Sequence, residues 1–319
     1  MDVIDWLLDS DPAIRHQVLR DLTDASPDVV TAERARVARE GWGAQLLALQ
    51  DPEGTWDHGT YRPGWVDESR PFFSAWTATH FSVTLLRDFG VDPHDPVVRD
   101  AMNRVAENVR WDEVDGGELY FEQTTEACVA GVLLSNIVYF GFDAARALDS
   151  ILADQQPDGG WNCEQNTAVS SFHPTICVLE GLLAWEQAAD PADPRRSRVH
   201  EARIRGEEYL LARRLLRRLS TGGFVDPRFT MTTFPTRWHY DVLRALEYFR
   251  RARPEGDERL LEAVELVRGK ADVEGRWPLE NELEGPTWFS MGEWEGAPSR
   301  WVTLAALRVL RWWDGLTPR

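Results

Sequence analysis

Residues 152–182, LADQQPDGGWNCEQNTAVSSFHPTICVLEGL, hold the pattern that decides the fold. A helix-period segment runs into Gln155-Gln156-Pro157-Asp158-Gly159-Gly160-Trp161, and after a loop an apolar run opens at His173. Asp followed by Gly is a tight-turn signal. Glycine reaches φ > 0 at no steric cost, and the carboxylate accepts nearby backbone N–H groups. The pattern recurs at residues 50–56, QDPEGTW, and at 271–277, ADVEGRW. Weaker relatives are EVDGGEL at 113–119 and LSTGGFVD at 219–226, where Phe224 is expected in the aromatic place. Such recurrence marks a repeat architecture.

Working outward, each turn follows an amphipathic segment rich in Ala, Leu, Arg and Glu: residues 31–50, 95–111, 143–156, 201–220 and 257–270. Each turn precedes a less charged segment: 76–90, 125–141, 173–188, 236–252 and 299–313. Strand alternation is nearly absent. The expected unit is outer helix, Gly turn, loop, inner helix, repeated about five times, because hairpins that cannot bury an apolar face alone stack on neighbours. The expected fold class is all-α, with paired helices stacked into an open solenoid or a closed ring. PAIRHQVLRDL, in residues 1–30, reads as an N-terminal cap helix on a single domain spanning 1–319. The basic run ARRLLRRL at 212–219 reads as a solvated helix face.

Composition limits the function. Hydrophobic residues at 43% supply a sizeable core. No apolar run approaches the roughly 20 residues needed to span a bilayer. The acidic start lacks a signal peptide's basic and apolar regions, so a cytoplasmic location is expected. A net charge of −18 repels phosphates and so disfavours nucleic acid and anionic membrane surfaces as partners. Three cysteines in a reducing compartment argue for ligands or nucleophiles over a disulfide framework. Fifteen tryptophans, many just after Gly turns, point to a periodic structural use.

QQPDGGW resembles the QW repeat of squalene and oxidosqualene cyclases, in which Gln and Trp tie a turn to neighbouring helices. The layout over about residues 30–315 resembles the α/α toroid shared by terpenoid cyclases and protein prenyltransferase β subunits. PDGGWNCE, SSFH, FPTRWHYDVLRAL and PSRW together resemble stand-alone actinobacterial squalene-cyclase-like proteins. The resemblance implies an α/α toroid whose inner helices surround a central cavity.

At the starts of the inner segments stand His80, Glu126 and Cys128, His173 and Cys177, Arg237, His239 and Asp241, and Arg300. The loop after the central turn adds Cys163 and Glu164. Thiolate, imidazole and carboxylate form zinc's preferred donor set, so Cys128, Cys163 and His173 are candidate ligands, with Glu126 or His239 as a fourth. In protein prenyltransferase β subunits zinc is bound by an Asp-x-Cys and a later His. Glu126-Ala127-Cys128 and Phe172-His173 resemble these, with Glu in place of Asp and the histidine helix shifted by one position. Each of these residues also has a plain structural reading, a Cys in an apolar helix as core and a His before Pro as a cap. Cys177 is placed in the core and is the substitute ligand should Cys163 point away.

The expected function is a zinc-dependent enzyme acting on a small, partly apolar substrate. His239 is its candidate acid or base, with Arg237 and Asp241 as catalytic partners. His80, Trp238, Tyr240, Arg300 and Trp301 are candidate substrate contacts. Squalene cyclisation itself is excluded, because the Asp-x-Asp-Asp acid is missing. The nearest strings, DEVD at 112–115 and DPHDP at 92–96, fall in loops. Aromatic walls are present in Trp76, Phe81, Trp288 and Trp294. The alternatives are therefore a non-squalene terpenoid cyclase and a non-catalytic toroid that binds a ligand or protein.

Overall fold

The computed structural model describes residues 2–66, 75–112, 117–122, 125–164 and 167–316. Most of EVDGGEL and DEVD lies outside the described residues. Among the described residues, regular structure is helical, and strand-like pairing is confined to isolated bridges at the turns.

The chain forms two compact units. The first comprises residues 1–123, 139–142 and 283–293, and the second 124–138, 143–282 and 294–319. The first unit contains α1 (Val3–Leu8), α2 (Pro12–Leu22), α3 (Pro27–Arg36), α4 (Gly41–Ala48), α5 (Thr79–Phe89) and α6 (Pro96–Asn108). Residues 1–30 thus hold two helices and the start of a third, where one cap helix was expected. Asp11 starts α2 by accepting Ala13 N–H (2.9 Å) and also holds Trp42 N–H (2.8 Å). DPHDP is structural, with the Asp95 carboxylate capping α6 through Val97 N–H (3.0 Å).

The second unit contains most of α7 (Ala127–Phe140), then α8 (Ala145–Ala153), α9 (Phe172–Ala188), α10 (Arg196–Ala212), α11 (Val242–Ala252), α12 (Leu261–Arg268) and α13 (Arg300–Leu316). α9 packs on α10 and α11, and α13 on α11 and α12. α7 and α9 meet at glycines. A Cβ on Gly131 would lie 2.4 Å from the Cys177 carbonyl carbon, and one on Gly181 2.7 Å from the Gly131 oxygen.

The repeated turns share one set of bonds. Gln50 Nε2 donates to Gly54 O (3.0 Å) and to Ala101 O on α6 (2.9 Å). Gln155 Nε2 donates to Gly159 O and to Ala202 O on α10, both at 2.7 Å. Each glutamine therefore ties its turn to the next outer helix. Trp56, Trp161 and Trp277 are buried, and each Nε1 donates to a carbonyl ten residues back: Leu46, Ile151 and Val267. Each Trp N–H meets a threonine hydroxyl of the following inner helix: Thr79, Thr175 and Thr303. These bonds satisfy buried polar groups that would otherwise cost about 1–3 kcal/mol apiece.

Two expectations fail locally. α10 ends at Ala212, because Arg214 and Leu215 take φ of 47° and 65°. The chain turns there to bury Leu215 and Leu216, and Arg213 lies over the Tyr209 ring at 3.7 Å. ARRLLRRL is thus a helix end and a turn. Phe224 likewise does not fill the buried aromatic place; it is exposed, with the Arg217 guanidinium 4.1 Å above its ring.

Candidate functional site

Three donor side chains converge at the amino end of α7. A ligand atom from each of Glu126, Cys128 and Cys163 lies within 4.8 Å of the others. Helix α7 places Cys128, whose backbone N–H at the helix start donates to Cys163 Sγ (3.3 Å). Its thiol contacts Glu126 Oε1 at 3.5 Å. The turn ending at Trp161 delivers Cys163 from the other side. Cys128 is buried, Cys163 half-buried and Glu126 exposed, so the group opens to solvent on its carboxylate side. The hydrogen bond from the Cys128 thiol, with its backbone N–H, pulls the Cys163 thiol below its ordinary range. The same bond and burial keep the proton on Cys128.

His173 is not brought into that group. Its Nδ1 accepts Tyr240 N–H (2.8 Å), and its ring meets Phe229, Trp238 and His239 at 5.2, 5.3 and 5.9 Å between centroids. Trp238 stacks on His239 at 3.7 Å, both half-buried. Burial lowers the pKa of His173 and of His239 to about 4, so both imidazoles are neutral at pH 7.

Arg237, Trp238, His239 and Tyr240 do not lie on α11, which begins only at Val242. They form a bend with Arg237 at φ 55°. Asp241 is buried and caps α11 through Arg244 N–H (2.8 Å), and burial raises its pKa to about 7. Tyr240 is buried, with its hydroxyl donating to Leu215 O (2.5 Å).

The bend is held by Arg244, which is not among the expected site residues. Arg244 donates to the His239 carbonyl (2.6 Å) and the Arg237 carbonyl (3.3 Å) and pairs with Glu180 of α9 (2.6 and 2.9 Å). It also reaches Cys177 Sγ at 3.5 Å. Its signal in the sequence was weak, because Arg244 is one of four arginines in residues 236–252 and Glu180 one of two glutamates in residues 173–188. Cys177 is fully buried as expected, and burial pushes its thiol up to about 11.

The remaining candidates lie elsewhere in the two units. Arg300 opens α13 half-buried, and Trp301 is buried and stacks on Phe234 at 4.3 Å. In the first unit, His80 is buried among Tyr61, Phe81, Trp111 and Tyr120, with Nδ1 3.2 Å from the Tyr120 hydroxyl. Desolvation drops its pKa to about 3. Trp76 and Phe81 form an edge contact at 5.0 Å, and Trp288 Nε1 donates to Ser82 Oγ (3.0 Å). Trp294 is exposed.

The chain aligns with the solved structure of a polysaccharide lyase over 99% of both chains, at 11% identity and a TM-score of 0.50. The architecture is all-α, of the α/α-toroid class. No protein-family model matches the sequence, and no curated protein does. Among the described residues no helix is long and apolar enough to cross a membrane.

Proposed function

We propose that the chain is a zinc-dependent enzyme on an α/α-toroid scaffold, with Glu126, Cys128 and Cys163 as the protein ligands. The observation that carries this reading is their convergence within 4.8 Å at the start of α7. Two thiolates and a carboxylate suit zinc, and three protein ligands with one open position are the pattern of catalytic rather than structural zinc sites. The exposed edge at Glu126 supplies access for a substrate. Glu126, Cys128 and Cys163 would hold the ion, which would supply Lewis acidity to a substrate group at the open side.

His173 moves from ligand to wall in this reading, since its Nδ1 is engaged by Tyr240 N–H. His239, neutral at pH 7, is the proposed base, and Arg237 beside it is the proposed contact for an anionic substrate group. Asp241 serves α11 rather than the reaction. The half-buried Trp238–His239 stack supports a small, partly apolar substrate. Eleven per cent identity to the lyase carries the fold and not the substrate. At net charge −18 a carbohydrate polyanion would also be repelled.

Elemental analysis of the purified chain tests the reading. About one zinc per chain is expected, lost in Cys128→Ala and Cys163→Ala and retained in His173→Ala. A folded protein that takes up no zinc overturns it, and zinc lost in His173→Ala overturns the ligand set.

A further inference from the structure

The same two thiols support a second chemistry that needs no bound metal. Cys163 and Cys128 are separated by 35 positions in the chain, yet their Sγ atoms lie within 4.8 Å and Cys128 N–H points at Cys163 Sγ. Cys163 is half-buried on the loop after the turn, next to the exposed Glu164, so a small solute reaches it first. Cys128 is buried behind it, and Cys177 is fully buried between the Trp238 carbonyl and Arg244. An accessible thiol backed by one buried neighbour is the arrangement of an attacking and a resolving cysteine. A disulfide needs sulfurs about 2.05 Å apart, so the two Sγ atoms, now within 4.8 Å, approach further as the bond forms.

We propose that Cys163 and Cys128 are a modification site for hydroperoxides, joined on oxidation into a reversible disulfide. Cys163 sulfur, having shed its proton, attacks one peroxide oxygen and the O–O bond breaks. The second oxygen leaves as water (or as alcohol from an alkyl peroxide) with that proton, and Cys163 becomes a sulfenic acid. Cys128 sulfur then attacks the sulfenyl sulfur and the S–O bond breaks. The hydroxyl departs as water with the Cys128 proton. Two thiols are oxidised and one peroxide is reduced. The disulfide leaves only Glu126 of the three donors able to hold a cation, so oxidation and metal binding exclude one another. That last consequence, unlike the disulfide, rests on the proposed zinc site.

The test uses the full-length protein, dialysed against a chelator and treated with hydrogen peroxide, then digested and mapped by mass spectrometry without reduction. A single linked pair of peptides, Cys128 to Cys163, two hydrogens lighter and reversed by dithiothreitol, is expected. Cys177→Ala still forms the link, and Cys163→Ser abolishes it while leaving Cys128 unoxidised. Zinc added before peroxide suppresses it. Cys163 running on to sulfinic acid without a link, or a link to Cys177, overturns the proposal. The two readings fail separately. A link formed by protein that takes up no zinc refutes only the metal site, whereas zinc uptake without a link in the stripped protein refutes only the disulfide.

Discussion

The turn at residues 50–56 in the first unit and that at 155–161 in the second are built alike and loaded differently. Both place a Trp Nε1 2.8 Å from the carbonyl ten residues back and a Trp N–H 3.0 Å from an inner-helix threonine. Beyond Trp56 the chain bends through Asp57 and His58, both at φ near 55°, and Asp57 holds the Thr77 hydroxyl and Trp65 Nε1 (2.5 Å). Beyond Trp161 it delivers Cys163 to the start of α7. The two turns thus share one frame and differ in the side chains delivered by the few residues after the tryptophan. The turn at 271–277 completes the comparison. Ala271 replaces the glutamine, and a Cβ on Gly275 would meet nothing within 4 Å. Among the described residues, the helix that follows that turn is α13.

The comparison breaks most sharply at the tryptophans. Trp161→Ala and Trp56→Ala each remove a fully buried ring and its hydrogen bond, and each should cost about 3–5 kcal/mol in urea unfolding. Widely unequal losses would show that the two turns are not equivalent.

A smaller effect separates turns that touch a neighbour from the one that does not. A Cβ at Gly159 would sit 2.6 Å from the Arg205 carbonyl, in addition to the strain of φ 98°. Gly275 carries only the strain of φ 74°. Gly159→Ala is expected to lose about 2–4 kcal/mol and Gly275→Ala about 1 kcal/mol in the same assay.

The histidines of the two units sharpen the comparison through pH. His80 has a folded pKa of about 3, and His173 and His239 of about 4, against an ordinary 6.5. Between pH 6.5 and 4 the unfolded chain binds protons that the folded chain refuses. Their contribution to stability is therefore complete above pH 6.5 and lost as pH falls through that window. Asp241, raised to about 7, acts in the opposite sense and is common to every variant compared. His80→Gln should make the acid-induced loss shallower by on the order of 1–3 kcal/mol between pH 6.5 and 4, read from urea midpoints. An unchanged slope would mean that His80 is not kept neutral by the fold.

The smallest effects belong to the glutamines. Gln50→Ala and Gln155→Ala should each cost about 1–2 kcal/mol, whereas Ala271→Gln should change stability by less than about 0.5 kcal/mol. A gain at position 271 would reveal a partner for that turn.

Much of the scaffold was legible because its signals are local. Helical periodicity marked the paired segments, and Asp-Gly with a following Trp marked the turns. The bonds that answer them span only four or ten residues within each turn. What failed to read correctly depended on non-local packing. The stretch after Ala212 looked helical, yet buried places for Leu215 and Leu216 drew it into a turn. Residues 236–241 matched the start of an inner helix, yet Arg244 and Glu180 hold them as a bend.

The site divides in the same way. By itself, the sequence determined that the chain repeats helical hairpins about Gly-Trp turns and that thiol, carboxylate and imidazole groups stand near the inner-helix starts. Only the tertiary structure decided that Cys163 meets Cys128 and Glu126 while His173 turns to Tyr240 N–H. Periodicity and turn chemistry are properties of neighbouring residues, whereas the meeting of side chains 35 positions apart depends on how the loop between α8 and α9 lies against α7.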